Sequence, residues 1–218
     1  MIGRHTLAQL ALASGCLCAA AAPAVAHPHV FAEARLEIVV GDQGAISELR
    51  HVWRFDELFS ATVLLEFDSS ANLKFEQEEL LEVGNVIRES LADFGYFTFI
   101  ARNSKDVTVA APDIIHVDYL DGQLLLFFSV KPDSALPLDG DLSFGVYDPT
   151  MYTAIDFIND SDLVIEGNMG GCERTVVRPD ADEIIVQYEE SLAEAFSEGA
   201  DANDFSKFFA TRLELKCA

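Results

Sequence analysis

The sequence predicts an α+β fold: an antiparallel, sandwich-like sheet system with an inserted helical hairpin and a C-terminal helix. Three observations carry this. Two runs near the N-terminus alternate apolar and polar residues with a period of two. A stretch around 76–94 switches to helical spacing. From Tyr96 onward, short β-type runs recur between Asn, Asp, Gly and Pro clusters.

The first strand is residues 29–40, where Val30, Ala32, Ala34, Leu36, Ile38 and Val40 share one face. Gly41-Asp42-Gln43-Gly44 is turn chemistry, and 46–55 returns with Leu49, His51, Trp53 and Phe55 on one parity. Matching the apolar faces of this hairpin places His29 opposite or near Asp56, within two residues of register. Asp56 also suits the N-cap of a helix over 57–66. Leu80, Val83, Ile87, Leu91 and Phe94 then mark a second helix over 76–94.

Between these helices, Asp68, Ser70, Asn72 and Glu79 occupy positions 1, 3, 5 and 12 of an EF-hand-like loop. Leu73 stands where the sharp turn requires glycine, and positions 3 and 5 lack carboxylates. The segment reads as a helix–loop–helix scaffold rather than a calcium site.

Strands are expected at 96–102, 107–110, 114–120, 124–130, 142–147, 153–158, 163–166 and 174–177. After Pro179, Ile184, Tyr188, Leu192 and Phe196 line one face of an acidic helix that stops near Gly199. Residues 211–217 read as a closing strand.

Residues 1–26 read as a signal peptide, with Arg4, an apolar Ala/Leu stretch and the Ala24-x-Ala26 pair of a signal-peptidase site. That stretch is too short and too alanine-rich for a good membrane span. The expectation is a periplasmic domain over 27–218, with no membrane insertion after cleavage. A second reading takes Ala13-Ser14-Gly15-Cys16 as a loose lipobox and anchors the chain through a lipidated Cys16. Losing Arg4 and no acid takes the net charge from −23 to −24. Such a surface repels phosphate backbones and argues against nucleic-acid binding.

Beyond the signal, Cys172 and Cys217 remain, and in an oxidising compartment they pair most simply as one disulfide. No nucleophile elbow, HExxH zinc motif, phosphate-binding loop or dinucleotide fingerprint is present, so no enzyme is expected.

The chemistry with most to say is His27-Pro28-His29. A cut after Ala26 gives His27 a free α-amine beside its imidazole, with a second imidazole two residues on. Such nitrogen donors suit zinc, copper, nickel or cobalt. Pro28 has no backbone N–H, which excludes the amine-amide-amide-imidazole copper trap. The bland alternative is two surface histidines at a free end.

His51 has the parity of a core residue, yet across the hairpin it could approach the N-terminus. Asp148, in Tyr147-Asp148-Pro149-Thr150, is a turn carboxylate or a completing ligand. His116 and Asp118 read as a solvated sheet face. A remote third idea, copper oxidation chemistry, requires His51 or His116 to face His27.

Several segments together resemble a bacterial family known as domain of unknown function 1007. They are His27-Pro28-His29-Val30-Phe31, Arg50 to Glu57 with Phe59-Ser60, Tyr96 to Phe99, Val146 to Thr150, Gly171-Cys172 and Cys217. Members are described as periplasmic components of an uncharacterised transport system, often associated with nickel/cobalt or zinc transporters. The resemblance implies a metal-handling role, with a divalent transition metal as cargo and a membrane metal transporter as partner. It singles out His27, His29, His51 and Asp148. Zinc fits the mixed N/O donor set in a tetrahedral site, and copper or nickel a more planar one. Many members carry a more Asp/Gly-rich loop between the helices than this chain does. The competing expectation is a metal-free module that docks on a transporter or envelope partner.

Overall fold

The alternation along the first two runs becomes a long antiparallel hairpin, β1 (Val30–Val40) and β2 (Ala45–Phe55), in register from Ala32 opposite Phe55. The computed structural model describes residues 28–188 and 205–218. The buried parity of β1 is the one its sequence dictates, with Leu36 and Ile38 fully enclosed. β2 continues into helix α1 (Glu57–Phe67), where the Asp56 carboxylate caps the first turn by accepting from the Phe59 N–H at 2.9 Å. Helix α2 (Gln77–Ser90) starts with a capping box between Glu76 and Glu79.

Helix α2 is shorter than its apolar spacing predicts, ending at Ser90 rather than 94. The chain tightens into a 3-10 segment (Ala92–Phe97), and Gly95, Tyr96 and Phe97 all take left-handed φ values, between 53° and 58°. Tyr96 and Phe97 are both buried, so enclosing two aromatic rings outweighs continued helix.

The strands that follow are β3 (Thr98–Arg102), β4 (Lys105–Val107), β5 (Val109–Ala110), β6 (His116–Leu120), β7 (Gln123–Pro132), β8 (Leu136–Pro137), β9 (Gly140–Val146), β10 (Thr153–Asp156), β11 (Leu163–Glu166), β12 (Glu173–Val177) and β13 (Arg212–Cys217). They make two sheets. The first runs β10-β1-β2-β7-β5, with β11 also on β1, β6 on β7 and β8 on β2. The second runs β12-β13-β9-β3-β4 and is antiparallel throughout.

The fold is α+β, with one departure from a purely antiparallel arrangement. β10 and β11 pair with β1 in parallel, because the chain crosses back from the second sheet and runs along the free edge of β1. Residues 181–188 are helical; Leu192 and Phe196 of the expected C-terminal helix lie outside the described residues.

One hydrophobic core takes in both sheets and both helices. Leu49, Trp53, Leu126 and Phe128 meet Ile100, Leu142, Phe144 and Leu213 in it. The helical hairpin covers the β6–β7 end of the first sheet. There Ser60 accepts the Leu124 N–H at 2.9 Å, and α2 lies so close that a Cβ on Gly84 would meet the Ile115 carbonyl oxygen at 2.3 Å. Cys172 and Cys217 are joined by a disulfide that ties β12 to the end of β13. Among the described residues no helix is long and apolar enough to cross a membrane.

Candidate functional site

The N-terminal corner is built where β1 meets the turn after β9. Tyr147-Asp148-Pro149-Thr150 forms a tight turn because the Asp148 carboxylate organises it from within. One oxygen accepts from the Thr150 N–H and hydroxyl, both at 2.7 Å, and the other from the Thr153 N–H at 2.9 Å. Asp148 is accordingly buried, and it acts as the turn carboxylate of the two roles open to it. The turn then presents the Tyr152 carbonyl to the start of β1, where the His29 N–H donates at 2.8 Å and the Val30 N–H at 3.3 Å. The exposed His29 ring lies against the Tyr152 ring, with centroids 5.0 Å apart.

Asp56 comes within two residues of the place expected for it. Its backbone N–H donates to the Phe31 carbonyl, and its second carboxylate oxygen accepts from the Phe31 N–H at 2.9 Å. Both oxygens are thus engaged, one on β1 and one on α1.

His51 stands elsewhere. It faces Leu36 across the hairpin, seven residues along β1 from His29, or about 23 Å at the rise of a β-strand. Its ring is 1% exposed, stacks on Phe128 at 4.5 Å and contacts the Thr98 hydroxyl through Nε2 at 3.2 Å. Burial pushes its pKa down to about 3, so the imidazole is neutral at physiological pH. His116 lies across β7 from Phe127, with its side chain on the opposite, exposed face of the sheet. Neither histidine approaches the N-terminal corner.

Among the described residues, no group of three or more His, Cys, Asp or Glu side chains is placed to hold a metal ion. Tested against a divalent transition metal, His51 is enclosed and distant, and Asp148 spends its oxygens on its own turn. His29 alone of the described candidates stands at the surface of the corner, and His27 lies outside the described residues.

No local pattern in the sequence marks the cavity beside this corner. About 300 Å³ in volume, it is walled by Val30, Trp53, Phe55, Ile87, Leu91 and Phe97, with Phe94 and Tyr152 also in its lining. The signal was present as aromatic density in Trp53, Phe55, Phe59, Phe94 and Phe97, though only the fold brings α2, β2 and the Asp148 turn together around it.

The model of a family described as protein of unknown function (DUF1007) matches residues 12–217. An uncharacterized protein of Haemophilus influenzae is similar at 25% identity over 198 residues, covering 88% of this chain and 92% of that relative. The chain belongs to the DUF1007 family.

Proposed function

For this member of the DUF1007 family we propose a role as an exported accessory protein that carries a divalent transition metal, zinc or nickel/cobalt, for a membrane metal transporter. The supporting observation is the fixed main chain of His29. Two N–H groups hold the start of β1 to the Tyr152 carbonyl, which sets His29 at one solvent-facing corner. Cleavage after Ala26 then gives an α-amine and two imidazoles within three residues. Water or a side chain of the receiving transporter completes the coordination, and His51 and Asp148 stay out of it.

The test compares the exported protein, its N-terminus fixed by intact mass, with a form retaining one alanine before His27. Stoichiometric zinc binding that the extended form and His29→Ala both weaken supports the reading. Equal binding by all three places the metal elsewhere, and absence of binding ends the proposal.

A second reading, a metal-free docking module, rests on helix α1. This helix is apolar on nearly every side, yet Leu58 and Leu65, two turns apart, are 79% and 70% exposed. The net charge of −23 selects a partner whose apolar segment is flanked by Lys or Arg.

A further inference from the structure

The cavity beside the N-terminal corner is concave, apolar and formed by chain segments far apart in sequence. Val30, Trp53, Phe55, Phe59, Ile87, Leu91, Phe97 and Leu126 supply its walls. Its polar lining is confined to Ser90 and the turn residues Asp148, Thr150, Tyr152 and Thr153. Both Asp148 oxygens already accept from Thr150 and Thr153, so its charge reaches a ligand as a field rather than as an open acceptor, and the apolar walls give an ammonium group no partner. The volume, about 300 Å³, is twice the roughly 150 Å³ of an engineered apolar cavity that takes up benzene. It holds on the order of ten non-hydrogen ligand atoms on the same scale.

Charge narrows the ligand further. Asp148 lines the cavity, Glu89 and Asp93 flank its Ser90 and Phe94 edge, and the whole chain carries −23. Arg88 is the one cation on that edge of α2. A carboxylate-bearing ligand would enter against this field, whereas a neutral one would not.

We propose that this cavity binds a compact neutral amphiphile, with an aliphatic body among the aromatic walls and a hydroxyl end that donates to the Ser90 or Thr150 oxygen. The hydrogens of those two side chains already go to the Val86 carbonyl and to Asp148. The site uses none of the proposed metal ligands and stands or falls independently of the metal reading.

The chain contains one tryptophan, Trp53, and it lines the cavity, so its fluorescence reports occupancy directly. The experiment titrates the full exported protein with 1-octanol, in EDTA, and follows Trp53 emission. The expected result is a saturable emission change with a raised Tm. Octanoate should bind about tenfold more weakly. Leu91→Phe, which fills the cavity, and Phe94→Ala, which removes a half-exposed wall, should each weaken octanol about tenfold. Leu58→Ser, on the outer side of α1, should leave binding unchanged. Folding of each variant is checked by circular dichroism, and Phe94, being 37% exposed, is the safer of the two. An emission unchanged up to octanol saturation overturns the proposal and leaves the cavity as a seat for another protein's side chain. So does binding that survives both cavity substitutions. Equal affinity for octanoate overturns the choice of a neutral ligand.

Discussion

His51 Nε2 and the Thr98 hydroxyl meet at 3.2 Å, joining the first sheet to the second through a polar pair buried in an aromatic core. With its folded pKa near 3 and an unfolded value near 6.5, the imidazole binds fewer protons in the native state than in the unfolded chain. Stability therefore falls as pH drops below about 6.5, at up to about 1.4 kcal/mol per unit, until the folded pKa is reached. Asp68 and Glu79, whose pKa values are also lowered in the fold, act in the same direction but only nearer the carboxylate range. Between pH 6.5 and 5 the slope belongs to His51. Denaturant unfolding of the wild type and His51→Gln at pH 7.5 and 5 checks this: the slope should be present in the former and absent in the latter.

Ser60 ties the helical hairpin to the sheet. Its hydroxyl donates to the Asp56 carbonyl at 2.6 Å and accepts the Leu124 N–H at 2.9 Å, in full enclosure. Ser60→Ala leaves that backbone donor buried without its acceptor, a cost of about 1–3 kcal/mol. Thermal denaturation should show the loss. Thr62→Ala, whose hydroxyl bonds within the exposed side of the same helix, should be nearly silent.

The Cys172–Cys217 disulfide closes a loop across a separation of 45 residues. Loop-closure entropy for that length is about 4 kcal/mol, and measured values for such bridges run at about 2–4 kcal/mol. Replacing both cysteines by serine should lower the denaturant midpoint accordingly. Adding reductant to the wild type should give the same shift.

The loop between α1 and α2 satisfies its carboxylates without a cation. Asp68 accepts from the N–H groups of Asn72 and Leu73 and from the Ser70 hydroxyl. Glu79 accepts from Ser69 N–H and hydroxyl, Ser70 N–H and Glu76 N–H. Those donors hold both pKa values below the usual carboxylate range. Millimolar calcium should leave the melting temperature unchanged, whereas Glu79→Ala should lower it. A calcium-dependent rise in melting temperature would overturn this account.

The strand pattern was legible because half-buried strands write their exposure into alternate residues, and β1 shows it along its whole length. The disulfide was legible because only Cys172 and Cys217 remain beyond the apolar N-terminal segment. What local pattern cannot carry is a conformation imposed from afar. The end of α2 is set by burial of Tyr96 and Phe97, and the parallel seating of β10 and β11 depends on which edge of β1 lies open. The site was half legible. Parity placed His51 inward, and turn chemistry gave Asp148 its role. The distance separating His51 from His29 follows from register, a property of the pair of strands rather than of either one.

In the second sheet, β13 lies between β12 and β9 rather than at an edge. A newly made chain therefore carries β9 and β12 with their shared partner missing until Arg212–Cys217 has been synthesised. The apolar side of β9, the half-buried Val176 and Val177 of β12 and the Cys172 thiol all wait on that segment. Its docking closes the sheet and brings Cys217 beside Cys172, so the second sheet cannot be completed before this segment is in place.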